Sequence, residues 1–385
     1  MRRIGFFGFC VVLSLCVLLL LITQQNSDLN QRMVPSQSEN IEEIVPLINY
    51  SLEFVLDESR TLISREMGDY KYMAGESLDS LTPITNGNPR RNLIITTWRS
   101  GSTFLGEILN AVPGTLYHYE PFSDYDIVQI RGSPEAENAV NHLKKLLNCN
   151  YTNMDSFLEF SKHNVWVFYH NTRLWDQCQK YPHFCFEPKF LSQFCKLFPF
   201  QIMKVVRLRL RLAEELLKEP TVRVLFLVRD PRGTLQSRKH RTWCPGQPDC
   251  DQPSILCSDL VSDYSAAIRL QKLYPDRFRV IRYEDLSLNP FEQVQDLLQF
   301  FQLDFGETVR KFLDNHTKFD MGGVSSTFRN SKSAPFHWRS DLEFNEVRLI
   351  EDQCSEAMEL WGYVRAPNET ELKLFNPLTD YKVER

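Results

Sequence analysis

The sequence has no Cys-x-x-Cys pair and no cluster of histidines, although it holds ten cysteines and eight histidines in 385 residues. A structural zinc site needs such grouped ligands, so no metal is expected here. Charge of one sign is also missing: 44 Lys and Arg stand against 49 Asp and Glu, a net of −5. That balance does not suit a nucleic-acid or heparin-binding module. Internal repeats and low-complexity tracts are absent, so nothing points to a repeat architecture.

Lysine is missing from one informative place. The apolar run Leu93-Ile94-Ile95 leads into Thr96-Thr97-Trp98-Arg99-Ser100-Gly101-Ser102-Thr103-Phe104, which reads as a strand turning through a loop into a helix. Leu105, Ile108 and Leu109 share one helical face, and Pro113-Gly114 supplies the stop. Small residues at a helix N-terminus let backbone N–H groups converge on an anion, which the helix dipole also favours. Ser102 and Thr103 add hydroxyls, and Arg99 adds a fixed positive charge. A nucleotide triphosphatase loop would carry Gly, four residues, then Gly-Lys; Gly101 and Gly106 have that spacing, but Glu107 stands where the lysine belongs. A carboxylate there lacks the cation that steadies a γ-phosphoryl group, which argues against an ATPase or kinase.

A second strand ends in a similar way. Arg223 to Val228 is a continuous β-branched and apolar run of the kind buried in parallel sheets. Arg229-Asp230-Pro231-Arg232-Gly233 follows, then a helical stretch reaching Ser237-Arg238. Guanidinium groups and a hydroxyl at the carboxyl end of such a strand mark where an open α/β sheet binds its ligand. Two anion-binding strand ends suggest a ligand with phosphates at both ends. Phe278 to Tyr283 reads as a further strand, and Asn289-Pro290 opens a helix whose Val294, Leu297, Leu298 and Phe301 share a face. The fold class expected is α/β, three layers around a central parallel sheet.

From residue 90 to about 365 the chain resembles the Golgi carbohydrate 6-O-sulfotransferases that act on Gal, GalNAc and GlcNAc. Trp98 to Phe104 is similar to that family's 5′-phosphosulfate loop. Leu227 to Arg232, with Ser237-Arg238, is similar to its 3′-phosphate segment. Glu120-Pro121, Arg282-Tyr283-Glu284-Asp285-Leu286, Thr327 to Ser331 with Trp338-Arg339, and Ile350 to Tyr363 extend the likeness. After Glu-Pro this chain has Phe122-Ser123-Asp124 where relatives often carry a Leu-Trp-His type sequence, a departure on the acceptor side.

The resemblance implies a P-loop-like sulfotransferase fold and 3′-phosphoadenosine 5′-phosphosulfate as co-substrate. It places Arg99, Ser100, Gly101, Ser102, Thr103 and Phe104 on the 5′ side and Arg229 and Ser237 on the 3′-phosphate. Arg329, Ser331 and Arg339 would close over the nucleotide from the C-terminal side. Sulfuryl transfer asks for in-line positioning, neutralised equatorial oxygens and a base for the attacking hydroxyl, as phosphoryl transfer does. Basic side chains can do the neutralising without a metal. Glu120 is the expected base, with burial raising its pKa. His118 is the alternative. Arg99 stands where cytosolic sulfotransferases carry a loop lysine; Lys204, ending Phe200-Gln201-Ile202-Met203, is a second cation and Arg207 a third. Trp338 is read as core. The runs Arg207 to Arg211 and Arg238 to Arg241 are read as solvated faces. The expected acceptor is a glycan on a glycoprotein or proteoglycan, with a homodimer left open; the competing reading is a catalytically silent membrane glycoprotein of the same fold.

The N-terminus addresses location. Arg2-Arg3 precede nineteen uncharged residues, Ile4 to Ile22, just long enough to span a bilayer. With no small-residue cleavage site after Ile22, an uncleaved anchor with cytoplasmic arginines is expected, making the protein a single-pass type II Golgi membrane protein. The expected organisation is a tail at 1–3, the anchor at 4–22, a luminal stem at 23–88 with a helix near Leu52 to Met67, a catalytic domain at 89–370 and a C-terminal tail at 371–385. Asn49, Asn150, Asn315 and Asn368 head glycosylation triplets. Eight cysteines lie beyond the anchor, an even number that suits disulfides in an oxidising lumen and allows 105 pairings. Cys244, Cys250 and Cys257 are expected to staple one loop.

Overall fold

The computed structural model describes residues 50–323 and 326–383. They belong to a compact unit that begins at Tyr50. Its first element is α1 (Leu52–Glu66), capped by the Ser51 hydroxyl, which accepts from Phe54 N–H. In chain order there follow β1 (Arg90–Ile95), α2 (Ser102–Asn110), β2 (Thr115–Tyr119), α3 (Asp155–His163), α4 (Trp166–Tyr169), β3 (Phe200–Val205), β4 (Val222–Val228), α5 (Pro231–Lys239), α6 (Pro253–Leu273), β5 (Phe278–Arg282), α7 (Glu307–His316) and α8 (Phe344–Gln353). Further helices fill the intervals.

The five strands form one all-parallel sheet in the order β2-β3-β1-β4-β5. The three inner strands β3, β1 and β4 have consecutive residues buried, hence on both faces, as a sheet covered on both sides requires. The chain moves from β1 outward to β2, back through β3, and only then across to β4. Strand order therefore reverses beside β1, and an α/β sheet opens its ligand crevice at the carboxyl ends next to such a reversal.

The register delivers the site. Ile95 pairs with Val205 and with Phe226, Tyr119 pairs with Lys204, and Val228 pairs with Arg282. The segments leaving all five strands, beginning at Thr96, Glu120, Val206, Arg229 and Tyr283, consequently emerge along one edge.

The segment read as stem differs from expectation once it reaches Tyr50. The helix near Leu52 is present, but it is packed onto the domain: Val55, Leu56, Ser59 and Ile63 are buried along one side. Glu58 accepts from Tyr181 O–H at 2.5 Å and pairs with Lys180, while Glu66 pairs with Arg173. An outward face rich in charge hides that four-residue rhythm in the sequence. Residues after 371 also dock: Leu372 is buried, Thr379 N–H donates to Gly362 C=O, and the Arg282 guanidinium lies 4.6 Å from the Tyr381 ring centre. Among the described residues no helix is long and apolar enough to cross a membrane; Ile4 to Ile22 and Asn49 lie outside them.

Among the described residues four disulfides form: Cys149–Cys195, Cys178–Cys185, Cys244–Cys250 and Cys257–Cys354. Cys257 thus leaves the loop it was grouped with. It sits in the first turns of α6 with its side chain toward the end of α8, whereas Cys244 and Cys250 close on each other.

Candidate active site

The strand-to-helix turn after β1 is built by conformation. Arg99 and Gly101 both have positive φ, at 66° and 89°. A Cβ on Gly101 would run into the Tyr283 ring, so this position is closed to other residues both by backbone and by space. Gly101 is the N-cap of α2 and no side chain caps the helix, which leaves the first-turn N–H groups of Ser102, Thr103 and Phe104 facing the cavity without intrahelical partners. Ser100 behaves differently from expectation. Its hydroxyl is buried 2.7 Å from that of Thr96, which donates to Leu227 C=O at 2.6 Å. With one proton per hydroxyl, Ser100 donates to Thr96 and ties the loop to β4 instead of facing a ligand.

These groups line a cavity of about 780 Å³ together with Glu120, Lys204, Arg207, Arg229, Ser237 and Arg329. The two phosphate-type segments are joined: Arg99 Nε donates to Ser237 Oγ at 3.1 Å, and Arg229 Nη1 donates to Arg99 C=O at 2.7 Å. Arg229 lies 4.7 Å from the Tyr283 ring centre, and its buried Nε has no hydrogen-bond partner among the described residues. Burial, with Arg241 and Arg229 nearby, pulls the Arg99 pKa down to about 10. Arginine stays protonated there, so the cavity holds several like charges that a polyanionic ligand would relieve.

Beside the first turn of α2, Lys204 Nζ donates to Glu120 Oε1 at 2.6 Å and lies 3.4 Å from Thr103 Oγ1. Arg207 Nη1 is 3.6 Å from Glu120 Oε2. The lysine is 1% exposed and the glutamate 14%. Glu120 itself takes positive φ, 44°, and its N–H donates to Lys204 C=O, which turns the carboxylate back over β3. Burial does push the Glu120 carboxyl up, as expected, but Lys204, Arg207 and His170 outweigh it and the net direction is down. Burial alone would lower the Lys204 pKa; Glu120 and Tyr119 reverse that and raise it. The two therefore rest as an ion pair.

His118 is not placed to act as a base. Successive strand residues point to opposite faces: Tyr119 enters the cavity, whereas His118 faces Tyr151, with ring centres 6.5 Å apart. Burial, and then His142, hold the His118 pKa down at about 3. Arg339 is also diverted, because its Nη1 donates to Phe375 C=O at 2.6 Å and it does not line the cavity. Arg329 does line it, with its guanidinium donating to Gly323 C=O at 2.7 Å and Phe328 C=O at 3.0 Å. Ser331 also lines the wall, and Trp338 is core as read.

The two basic runs are solvated only in part: Arg211, Lys239 and His240 are exposed, and the others turn inward. Arg207 turns to the cavity. Arg209 is buried against Asp263, Asp259 and Gln129, and Leu208 and Leu210 are core. Arg238 is buried too, donating to Thr97 Oγ1, Trp98 C=O and Cys250 C=O, while His240 and Arg241 reach the cavity. A charged run reads as surface in a sequence unless strand alternation and its acidic partners are known in advance. Residues the motifs did not signal include Tyr119, Trp166, Tyr169 and His170 on one wall and His316 on another. Only Tyr119 had a cue, its place beside Glu120. Glu107, at the missing-lysine position, bonds His170 at 2.6 Å. Among the described residues no group of three or more His, Cys, Asp or Glu side chains is placed to hold a metal ion.

Comparison with known proteins accords with this arrangement. The sulfotransferase domain model matches residues 89–362. The chain belongs to the sulfotransferase family. It is 24% identical to mouse carbohydrate sulfotransferase 5 across 81% of this chain and 90% of that protein. Mouse carbohydrate sulfotransferase 4 is 26% identical across 74% and 84%, and human carbohydrate sulfotransferase 6 is 24% identical across 72% and 82%. Among solved structures, the sulfotransferase domain of a Synechococcus olefin synthase aligns at 19% identity and TM-score 0.38, covering 70% of this chain and 95% of that one; no argument is drawn from so distant an overlay. As a sulfotransferase the chain is an enzyme.

Proposed function

We propose that this sulfotransferase moves the sulfuryl group of 3′-phosphoadenosine 5′-phosphosulfate onto a carbohydrate hydroxyl, the 6-hydroxyl of a GlcNAc, Gal or GalNAc residue in a glycan of a glycoprotein or proteoglycan. The observation that carries the proposal is the Lys204–Glu120 pair lying beside the α2 N-terminus, with Lys204 Nζ 3.4 Å from Thr103 Oγ1, in a cavity that Arg99 and Arg229 also line. In this reading the first-turn amides of α2 and the hydroxyls of Ser102 and Thr103 hold the 5′-phosphosulfate, while Arg229 and Ser237 hold the 3′-phosphate, with the free Arg229 Nε as a ready donor. Arg329 flanks the nucleotide. The acceptor hydroxyl approaches opposite the leaving phosphate, and Glu120 takes its proton.

A carboxylate held below its usual pKa is ionised, as a base must be, but weakly basic. Lys204 resolves this. As negative charge grows on the sulfuryl oxygens, the lysine shifts its hydrogen bond from Glu120 toward them, and losing that partner raises the carboxylate's proton affinity when the proton arrives.

The surroundings suit a luminal enzyme. Four disulfides imply an oxidising compartment, and Asn150, Asn315 and Asn368 are exposed where a glycan chain would project. We extend the proposal to a single-pass type II Golgi protein anchored through residues 4–22. The test is Glu120→Gln in the full-length chain, assayed with labelled donor and sugar acceptors. Turnover should fall by at least about a hundredfold, the scale of a general base, while 3′,5′-ADP still raises the unfolding temperature. Sulfate transfer near the parent rate would remove Glu120 from this role.

A further inference from the structure

One wall of the cavity is aromatic. Trp166 and Tyr169 on α4, Phe160 on α3, and Tyr119 at the end of β2 all line it. They interlock: Tyr119 and Phe160 each meet Trp166 edge-on, at 5.9 and 6.3 Å. The other face of this network is tied to the chemistry, because Lys204 Nζ lies 3.7 Å from the Tyr119 ring centre and also bonds Glu120. The wall therefore begins at the ion pair. Tyr169 is 46% exposed and lines the cavity.

The groups around Glu120 are of the opposite kind. Arg207 is buried, donates through Nε to Asp126 C=O, and has an Nη1 without a hydrogen-bond partner among the described residues. A flat, wholly apolar acceptor would stack on the aromatic wall but leave that Nη1, whose nearest carboxylate oxygen on Glu120 is 3.6 Å away, without a hydrogen bond. A pyranose matches both: its C–H face covers an aromatic ring, and its hydroxyl rim accepts from Arg207.

We propose that Trp166 and Tyr169 form a pyranose-stacking subsite that orients the acceptor sugar over Glu120, with Arg207 donating to a ring hydroxyl. The inference rests on the carbohydrate reading above. Tyr169 supplies the exposed platform and Trp166 holds the wall upright against Tyr119. Both act on acceptor binding and neither touches the donor.

The experiment measures acceptor KM, kcat and the 3′,5′-ADP-induced rise in unfolding temperature for full-length parent, Tyr169→Ala and Trp166→Phe, using oligosaccharides ending in GlcNAc, Gal or GalNAc and, in parallel, a simple phenol. Tyr169→Ala should raise the sugar KM by about tenfold with kcat within about twofold, the pattern of lost uniform binding. Trp166→Phe should raise it less, because a smaller ring keeps part of the platform. The nucleotide response should match the parent in both. Unchanged sugar KM in both variants, with a parent that sulfates sugars, overturns the subsite and leaves the carbohydrate reading standing. Loss of the nucleotide response in step with kcat shows a merely structural wall and also overturns it. A parent that sulfates the phenol and no sugar removes the carbohydrate reading itself, and the subsite with it.

Discussion

Arg229, Arg232 and Arg238 lie within ten residues of one another and do three different things. Arg229 faces the cavity with an unpartnered Nε. Arg232 is fully buried, paired at 2.7 Å with both Asp230 and Glu351 and 4.2 Å from the Trp338 ring centre. Arg238 braces the loop before Arg99 through Thr97 and Trp98. Sequence identity of type does not reveal this division, because a motif shows that guanidinium groups recur and not which of them meets an acidic partner from more than a hundred positions away. Two variants separate the roles. Arg232→Met removes the buried cation that pairs with Asp230 and one of the three that pair with Glu351 and should cost about 3–5 kcal/mol, lowering the unfolding midpoint by about 5 °C or more in a domain of this size. Arg229→Met should leave the midpoint close to the parent and abolish its rise with 3′,5′-ADP. Equal midpoints for the two variants would contradict the burial-based assignment. The loop glycine was legible for a plain reason: Gly101 needs both a positive φ and a missing side chain, and such demands are written into residue type. The Lys204–Glu120 contact was legible only as two separate candidates, since their meeting depends on the β2–β3 register.

At the scale of elements, β1, β4 and β5 were readable from their apolar runs, β2 with its mixed Thr-Leu-Tyr-His-Tyr was not, and α1 was readable as a helix but not as part of the core. Its buried stripe is short and its outward face carries the charges that pair with Lys180 and Arg173, so composition averaged over the segment looks like a linker. Any shortened form of the protein must therefore begin before Leu52. Disulfide connectivity was unreadable because spacing in sequence says little about which helix faces which. The two outer bonds now make distinct predictions. Cys257–Cys354 spans 97 positions and fastens α6 to the end of α8, so replacing both cysteines by serine should cost about 2–5 kcal/mol, as loss of a bond closing a long loop does. Cys244–Cys250 spans only six and packs against Trp98 beside Arg99. Its removal should cost much less stability and chiefly raise the donor KM. Equal stability losses, or a donor KM unchanged in the second pair, would show that this small loop does not support the nucleotide side.

At the scale of the whole molecule, stability should weaken in acid, and the buried titratable groups set where. His118 and His142 are both held neutral by burial, with pKa values pulled down to about 3 and about 4. The unfolded chain protonates such histidines near pH 6.5, so their contribution is complete above that pH and is lost as pH falls toward 4. Glu284 works the other way. Burial and then Asp230 lift its carboxyl to about 7, so the native state keeps a proton that the unfolded chain releases above about 4.5, and this contribution fades as pH rises through 7. Between pH 6.5 and 4.5 the unfolded chain gains up to two protons that the native histidines refuse, while the native state retains one on Glu284. The imbalance approaches one proton, and stability should drop by about 1.4 kcal/mol per pH unit in the middle of that window. Below it, carboxylates held down by cations, Glu120 among them, steepen the loss. His142→Phe isolates the effect, since the ring sits edge-on between Phe122 and Phe157, at 5.5 and 5.1 Å, where another phenyl ring is at home. Unfolding midpoints taken from pH 7.5 to 5 should fall less steeply in this variant than in the parent, by about one proton's share. Parallel curves would mean that His142 is protonated in the folded protein, and the aromatic pocket around it could not then be as dry as its packing implies.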